Sequence, residues 1–233
     1  MNKKRPNEIR QDFENETDAL VSFFRDASNG FTSGPHEKKN MTILSELVFL
    51  NSYVAFETFL SDLFMAYINK SSMSFQNAQE AKIKKLIKSE FGDWYSNRIS
   101  MGKVQHLKAS EVEDLIDPKG FNLTFSSSSE IKRIAGEWVD QQFRKNIFLL
   151  TIEDFQFIDC CREIRNSIAH KSKRSISAMN DMLRAIPNPG TIEFLHRPAN
   201  EVKVVGVFLK SKHRGEFRVV KCVERLKDIA IRM

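Results

Sequence analysis

The sequence predicts a mainly α-helical protein that ends in a β-hairpin, and three observations carry that reading. Apolar residues recur at helical spacing over most of the chain up to about residue 185. Helix-capping chemistry stands at two places ahead of such runs, in the serines at 126–129 followed by Glu130 and in Thr151 followed by Asp154. Near residue 200 the period changes and β-branched residues crowd together. With 233 residues, 41% of them hydrophobic, the chain can bury one sizeable core without a second domain. The expected organisation is a helical domain over residues 1–186, its core spanning about 41–186 behind an N-terminal helix. Residues 187–233 then form a loop and hairpin packed on that domain.

A first helix reads from about 7 to 27, with Ile9, Phe13, Leu20, Phe23 and Phe24 as its stripe, and Gly30, Gly34 and Pro35 follow it. Residues 41–69 are the most apolar segment, about eight turns at ~3.6 residues per turn. Aromatics lie on nearly every side of it, which predicts a central helix buried on more than one face. Residues 77–91 are lysine-rich and amphipathic and close at Gly92. Residues 96–125 keep no period and predict short helices and loop. The serine cluster opens a helix to about 146, and Thr151 opens another that continues to about 185. Pro187, Pro189, Gly190 and Pro198 mark a loop. Beyond it, Val202, Val204, Val205, Val207 and Phe208, then Phe217, Val219, Val220 and Val223, flank Lys212-His213-Arg214-Gly215 and predict the hairpin.

Composition narrows the function classes. The longest apolar runs are interrupted by polar residues, and the opening MNKKRPNE lacks a secretory apolar region, so the expectation is a cytoplasmic protein with no membrane partner. Cys160 and Cys161 are adjacent and Cys222 is remote, which makes neither a disulfide framework nor a metal-ligand spacing. The thiols read as reduced core residues, and no metal or cofactor is expected. The net charge of +6 is modest, but its placement is uneven. Residues 162–174 hold five basic and one acidic residue, and residues 201–233 hold nine and four, so the rest of the chain sums to −3. A polyanion would meet a local basic surface.

Projecting residues 151–170 at about 100° per residue puts Phe157, Cys161, Ile164 and Ile168 on one apolar stripe. Asn166 and His170 share the nearly opposite face, with Arg162 a turn earlier. Arg165 falls at the margin, within reach of His170. Metal-free RNA cleavage needs a group to take the 2′-hydroxyl proton, a group to protonate the leaving oxygen, and positive charge on the phosphorane between them. Histidine titrates near neutrality and can act as base or acid, and guanidinium donors pair with phosphate oxygens. One histidine per chain makes a poor acid–base pair, so two copies facing across a two-fold axis complete such a site better than one.

Cys161-Arg162-Glu163-Ile164-Arg165-Asn166-Ser167-Ile168-Ala169-His170 resembles the R-(N/D/H)-x-x-x-H signature of HEPN ribonucleases. Asn51-Ser52-Tyr53-Val54-Ala55-Phe56-Glu57-Thr58-Phe59-Leu60 resembles the long upstream helix of stand-alone bacterial members, including the RiboL-PSP type. The likeness covers about residues 41–171. It implies a HEPN-type helical bundle and a homodimeric, metal-independent endoribonuclease acting on RNA, of a kind that includes toxins and antiphage defence effectors, with a neutralising or regulatory partner protein possible. Arg165, Asn166 and His170 occupy the motif positions. Glu57 is carried over as a fourth catalytic candidate, because a carboxylate on an apolar helix needs a cation and Arg165 is the natural one. Ser172 stands where some antitoxin-paired members carry Tyr, which speaks against that branch.

Arg162, Lys171, Lys173 and Arg174 are the RNA-binding candidates, against a reading as a solvated helix end favoured by the macrodipole. The phenylalanines, Trp94 and Trp138 are assigned to core or dimer packing rather than base stacking. His36, His106, His196 and His213 receive no function. Lys210, Lys212, His213, Arg214 and Arg218 of the hairpin are an RNA guide, a partner contact or a charged edge that blocks strand pairing, the last being the default. A two-fold interface is expected along the aromatic helix and the outer face of the motif helix near Phe155, Asp159 and Arg162. The alternative to the nuclease is a non-catalytic HEPN module that dimerises or holds a partner protein.

Overall fold

The computed structural model describes residues 5–31, 36–104, 106–108, 110–112, 125–197 and 201–233. The chain is mainly α-helical, with a small two-stranded sheet near its C-terminus. It divides into two compact units, one from Arg10–Phe59 with Leu150–Met233, the other from Leu60–Leu149 with Met1–Ile9.

The first of these units holds α1 (Pro6–Gly30) from Arg10 onward and the leading two-thirds of α2 (Glu37–Lys70). The α1 stripe buries Phe13, Thr17, Val21 and Phe24, whereas Phe23, expected inside, faces out. Thr17 is tolerated there because its hydroxyl donates to the Phe13 carbonyl at 2.9 Å. Phe13 meets Phe56 and Phe59 of α2 at ring separations of 5.9 and 5.0 Å. On α2, Val48, Phe49, Tyr53, Phe56 and Phe59 are buried along one broad side, while Ile43, Leu47 and Val54 on the other side are about half exposed, so this part of the helix is buried on one face and not on several as its composition predicts. By length and composition α2 could cross a membrane, yet 56% of its most apolar window is buried by the chain itself.

The motif helix α7 (Ile152–His170) opens with the capping box the sequence predicts: Thr151 Oγ1 accepts from Asp154 N, and Asp154 Oδ2 accepts from Thr151 N. It does not continue to 185. Lys171 takes a left-handed conformation, φ 48°, and Ser172 caps a separate helix α8 (Lys173–Arg184) by accepting from Ser175 N.

The tail differs from expectation more. The hairpin is present, but each strand is two residues long, β1 (Lys212–His213) against β2 (Glu216–Phe217). The valines around it are helical, in α9 (Val205–Leu209) and α10 (Arg218–Arg232). The reason is periodicity over the full length: Val219, Val220, Cys222, Val223, Leu226, Ile229 and Ala230 form one buried helical face, which outweighs the local strand preference of valine. Two arginines from α10 then reach the start of α7. Asp154 is fully buried and accepts from Arg225 at 2.7 Å and from Arg232 at 2.6 and 2.9 Å. Beside Gly206 of α9, any Cβ would collide with the Thr42 carbonyl of α2, while Gly206 N donates to Glu46 at 2.9 Å.

The other unit holds the end of α2, α3 (Met73–Phe91), α4 (Asp93–Ser96), α5 (Ser128–Trp138) and α6 (Gln141–Phe148). Ile68, Phe75, Leu107 and Val112 make a core, with Met65 and half-buried Trp138 against it. Buried Gln76 clasps the Val104 backbone through both its amide atoms, at 2.6 and 3.0 Å. Ser127 caps α5 as the serine cluster predicts, but the helix does not reach 146. Val139 is extended, and Asp140 starts α6 by accepting from Gln142 N and Ser71 Oγ. Trp94, expected in packing, is exposed beside Phe91 and Tyr95.

Burial alone would raise the Asp154 carboxyl, but hydrogen bonds from Arg232 and Thr151 and the charge of Arg225 more than offset it and hold the group below the usual aspartate value. A depressed carboxylate stabilises the fold above its unfolded value, ~3.9, and loses that contribution as pH falls through its folded value. Asp154→Asn should therefore cost about 3 kcal/mol near neutrality and flatten the fall of melting temperature below about pH 4. Wild-type and variant melts that run parallel across that range would show the cluster to be idle.

Candidate functional site

All of the motif residues come from α7, and their chemical partner comes from α2. The buried stripe of α7 is the expected one, Phe157, Cys161, Ile164 and Ile168, with Phe155 buried as well at 4% exposure. Phe155 thus serves the interior of the chain and is not on the outer face where a two-fold contact was expected. Arg162, Arg165 and Asn166 are half-buried on the flank, and His170 is exposed as the last helical residue.

Arg165 is oriented toward α2. Its Nη2 lies 3.7 Å from Glu57 Oε2, and its Nη1 donates to Asn166 Oδ1 at 3.2 Å. The guanidinium is therefore fixed by its own neighbour and by a carboxylate across the helix pair, as its pairing with Glu57 anticipates. It does not contact His170, contrary to the reach expected from the helix projection. Glu57 is half-buried, and burial raises its carboxyl above the usual glutamate value while Arg165 offsets part of the rise. Tyr53, one turn before Glu57 on α2, is buried against the same stretch of α7. Burial raises its phenol, helped by Cys161 and Glu57, so the group stays protonated. Its spacing from Glu57, four residues on an aromatic helix, was the available signal, but aromatics on that helix are too common for it to stand out.

The end of α7 is built as a corner. Ser167 Oγ donates to the Ser175 carbonyl at 2.7 Å, tying the last turn of α7 to the first of α8. Lys171 between them holds a backbone conformation that costs a non-glycine residue roughly 1–2 kcal/mol, and it brings His170 to the rim. Lys171, Lys173 and Arg174 are exposed, and among the described residues none has a carboxylate partner. The imidazole of His170 likewise has no hydrogen-bond partner among them. Arg162 differs, since its Nη2 sits 2.8 Å from Glu163 Oε1.

The basic tail is mostly engaged internally. Lys210 donates to the Lys38 carbonyl and to Thr42, and Arg214 pairs with Glu193. Arg218 donates to the Phe194 carbonyl and Ser211, and Arg225 and Arg232 hold Asp154. His213 lies 3.6 Å from Glu193, and Lys212 rests over the Phe217 ring. These groups support the fold, whereas Lys171, Lys173 and Arg174 stand open with no carboxylate partner among the described residues. Cys160, Cys161 and Cys222 are buried and free, and burial pushes the Cys160 thiol up to about 12. Among the described residues no three His, Cys, Asp or Glu side chains gather as a metal site.

No protein family, characterised protein or solved structure matches this chain.

The Glu57–Arg165 pair has a direct test. Because the cation opposes the effect of burial, Arg165→Ala should move the Glu57 titration midpoint further up, as followed by carboxyl-carbon NMR. A raised acid binds its proton more tightly in the folded chain, so it removes stability as pH rises above the unfolded value of ~4.3, the opposite sign from Asp154. A midpoint that stays in place would mean that the two side chains do not pair in solution.

Proposed function

We propose that the chain is a HEPN-type endoribonuclease that cuts RNA by attack of the 2′-hydroxyl, without a metal ion, at a site completed by a second copy of itself. The observation that carries this reading is the arrangement along α7: a guanidinium held by Glu57 and Asn166, then an open imidazole, then three cations at the corner that have no carboxylate partner among the described residues. Lys173 and Arg174 weigh against the bland alternative. Lys171 follows the C-terminal end of α7, where the macrodipole favours a cation, but Lys173 and Arg174 stand in the first turn of α8, where it disfavours them. Positive charge on an anion-binding helix end suits a phosphate ligand.

In this mechanism His170 takes the 2′-hydroxyl proton and the 2′-oxygen bonds to phosphorus. Arg165 holds the phosphorane oxygens, and the bond to the 5′-oxygen breaks as that oxygen receives a proton from the same histidine of the second copy. The products are a 2′,3′-cyclic phosphate and a 5′-hydroxyl. Lys171, Lys173 and Arg174 hold flanking phosphates. The motif resemblance supports reading such an enzyme as a cytoplasmic toxin or antiphage effector.

A seam on α2 supports the second copy. Ile43, Leu47 and Val54 are each roughly half exposed, with Leu50 partly so. Their spacing of four, three and four residues is that of a helix-pairing seam, and the next position in the series is Glu57. A two-fold contact along this seam brings both copies of Glu57, and the Arg165 beside each, to the interface.

His170→Ala and Arg165→Ala should each slow RNA cleavage by about a hundredfold or more with the fold intact, and Lys at position 165 should rescue poorly because it lacks paired donors. Cleavage should survive EDTA and stop when the 2′-hydroxyl at the cut is removed. A His170→Ala protein that cuts RNA at the wild-type rate would sink the proposal and leave a non-catalytic module. A separate check concerns the seam: Leu47→Glu with Val54→Glu should give a monomer by sedimentation that has lost cleavage. A monomeric but fully active variant would show that one chain suffices.

A further inference from the structure

The corner between α3 and α4 is used by nothing described so far. Phe91, Trp94 and Tyr95 are 67, 61 and 54% exposed within five residues. Apolar area of that kind, gathered on a surface, marks a contact site rather than a folding requirement. The rings meet edge to face, Phe91 with Tyr95 at 6.1 Å and Trp94 with Tyr95 at 4.9 Å, so they are not stacked flat on one another. The Arg98 guanidinium lies over the Trp94 ring, 4.0 Å from its centroid, and is pinned there by donating to the Trp94 carbonyl at 3.1 Å. Lys82 and Lys85 are exposed on the adjoining half of α3. Like Arg98 they have no carboxylate partner among the described residues, whereas Lys84 and Lys103 pair with Glu80, and Lys88 with Asp93.

We propose that this corner is a platform for single-stranded RNA, on which bases stack against Trp94 and Tyr95 while phosphates lie on Arg98, Lys82 and Lys85. The proposal rests on the reading of RNA as substrate, and the platform belongs to the unit that does not carry the motif. Charge complementarity selects the occupant. Arg98 stacked on an exposed ring, with Lys82 and Lys85 further back along α3, matches a polyanion with splayed bases, and a duplex would hide those bases. A protein partner or a second copy that offered only apolar surface to the rings would desolvate Arg98 without compensation. A lipid surface fits less well, because Arg98 is stacked on Trp94 and would enter the acyl region together with the ring.

The test uses the full chain and a 2′-O-methylated oligouridine, whose blocked nucleophile prevents cleavage. Binding should quench tryptophan emission, and the quench should vanish in Trp94→Phe, since half-buried Trp138 does not face the ligand. Affinity, read by oligonucleotide anisotropy, should fall about tenfold or more in Trp94→Ala and again with Tyr95→Ala, while Trp94→Phe keeps most of it. Arg98→Gln should lower the salt dependence of binding. Unchanged affinity in a Trp94→Ala, Tyr95→Ala double variant that melts normally would overturn the platform. So would a blue shift with phosphatidylserine vesicles but no response to the oligonucleotide, or a shift on raising protein concentration alone. Because the probe cannot be cut, binding here without cleavage of natural RNA would retire the nuclease reading and leave the platform standing. Cleavage without this binding would do the reverse.

Discussion

Asp154 is the constraint on which the motif-bearing unit depends. One buried carboxylate closes the capping box with Thr151 and also receives Arg225 and Arg232 from the C-terminal helix. Such a group is tolerable only because every acceptor direction is filled; stripped of its cations it would be an uncompensated buried charge. The consequence reaches the far end of α7. Arg165 lies eleven residues on, roughly 16 Å at the helical rise, and a helix is stiff over that length. Fixing where α7 begins, and packing its stripe against α10, fixes where Arg165 meets Glu57. The serine corner then fixes where the helix ends. Substitutions in the C-terminal helix, far in sequence from the motif, can thus reach the site by shifting α7.

Much of the architecture was legible because the deciding signals were local. Thr151 with Asp154, Ser127 with Glu130, and Gly92 after Phe91 each act within four residues, and each sits where those spacings put it. What escaped depended on competition between scales. Val202 to Val223 reads as strand in any short window, and only the fifteen residues of α10 reveal the helical face. The two arginines on that helix gave no hint of their use, since Asp154 lies some seventy positions earlier. The break at Lys171 escaped for another reason. Nothing in a lysine announces a left-handed conformation, and it is the bonds of Ser167, Ser172 and Ser175 on either side that impose it.

The candidate site shows the same division. The helical projection of residues 151–170 identified the core stripe and the polar face, and the carboxylate on α2 was matched to Arg165 on charge alone. The projection failed for the direction of the Arg165 side chain, because a long flexible stem follows its strongest partner: Glu57 and Asn166 outcompete the more distant imidazole. Tyr53 and the exposed ring of Trp94 were beyond it too. An aromatic residue scores as core in any sequence reading, and only the packing reveals which ones are left over.

The basic residues divide the same way, and the division is an argument about function. Sequence counts gave the tail and the motif region similar positive excess, yet the structure spends them differently. In the tail, Lys210, Arg214, Arg218, Arg225 and Arg232 all meet protein acceptors. At residues 171–174 the cations meet none among the described residues, and two of them stand at a helix end whose dipole repels them. Each such placement costs the free chain about 0.3–1 kcal/mol, and Lys171 adds backbone strain. A fold that satisfies a carboxylate as demanding as Asp154 could have matched these charges as well. On the proposed reading, an anion bound beside His170 removes that cost, and the energy missing from the free protein reappears as affinity for that anion. On that reading exposure, positive charge and backbone strain at the corner are parts of one anion-binding device, whereas a solvated helix end accounts for Lys171 but not for two cations in the first turn of α8.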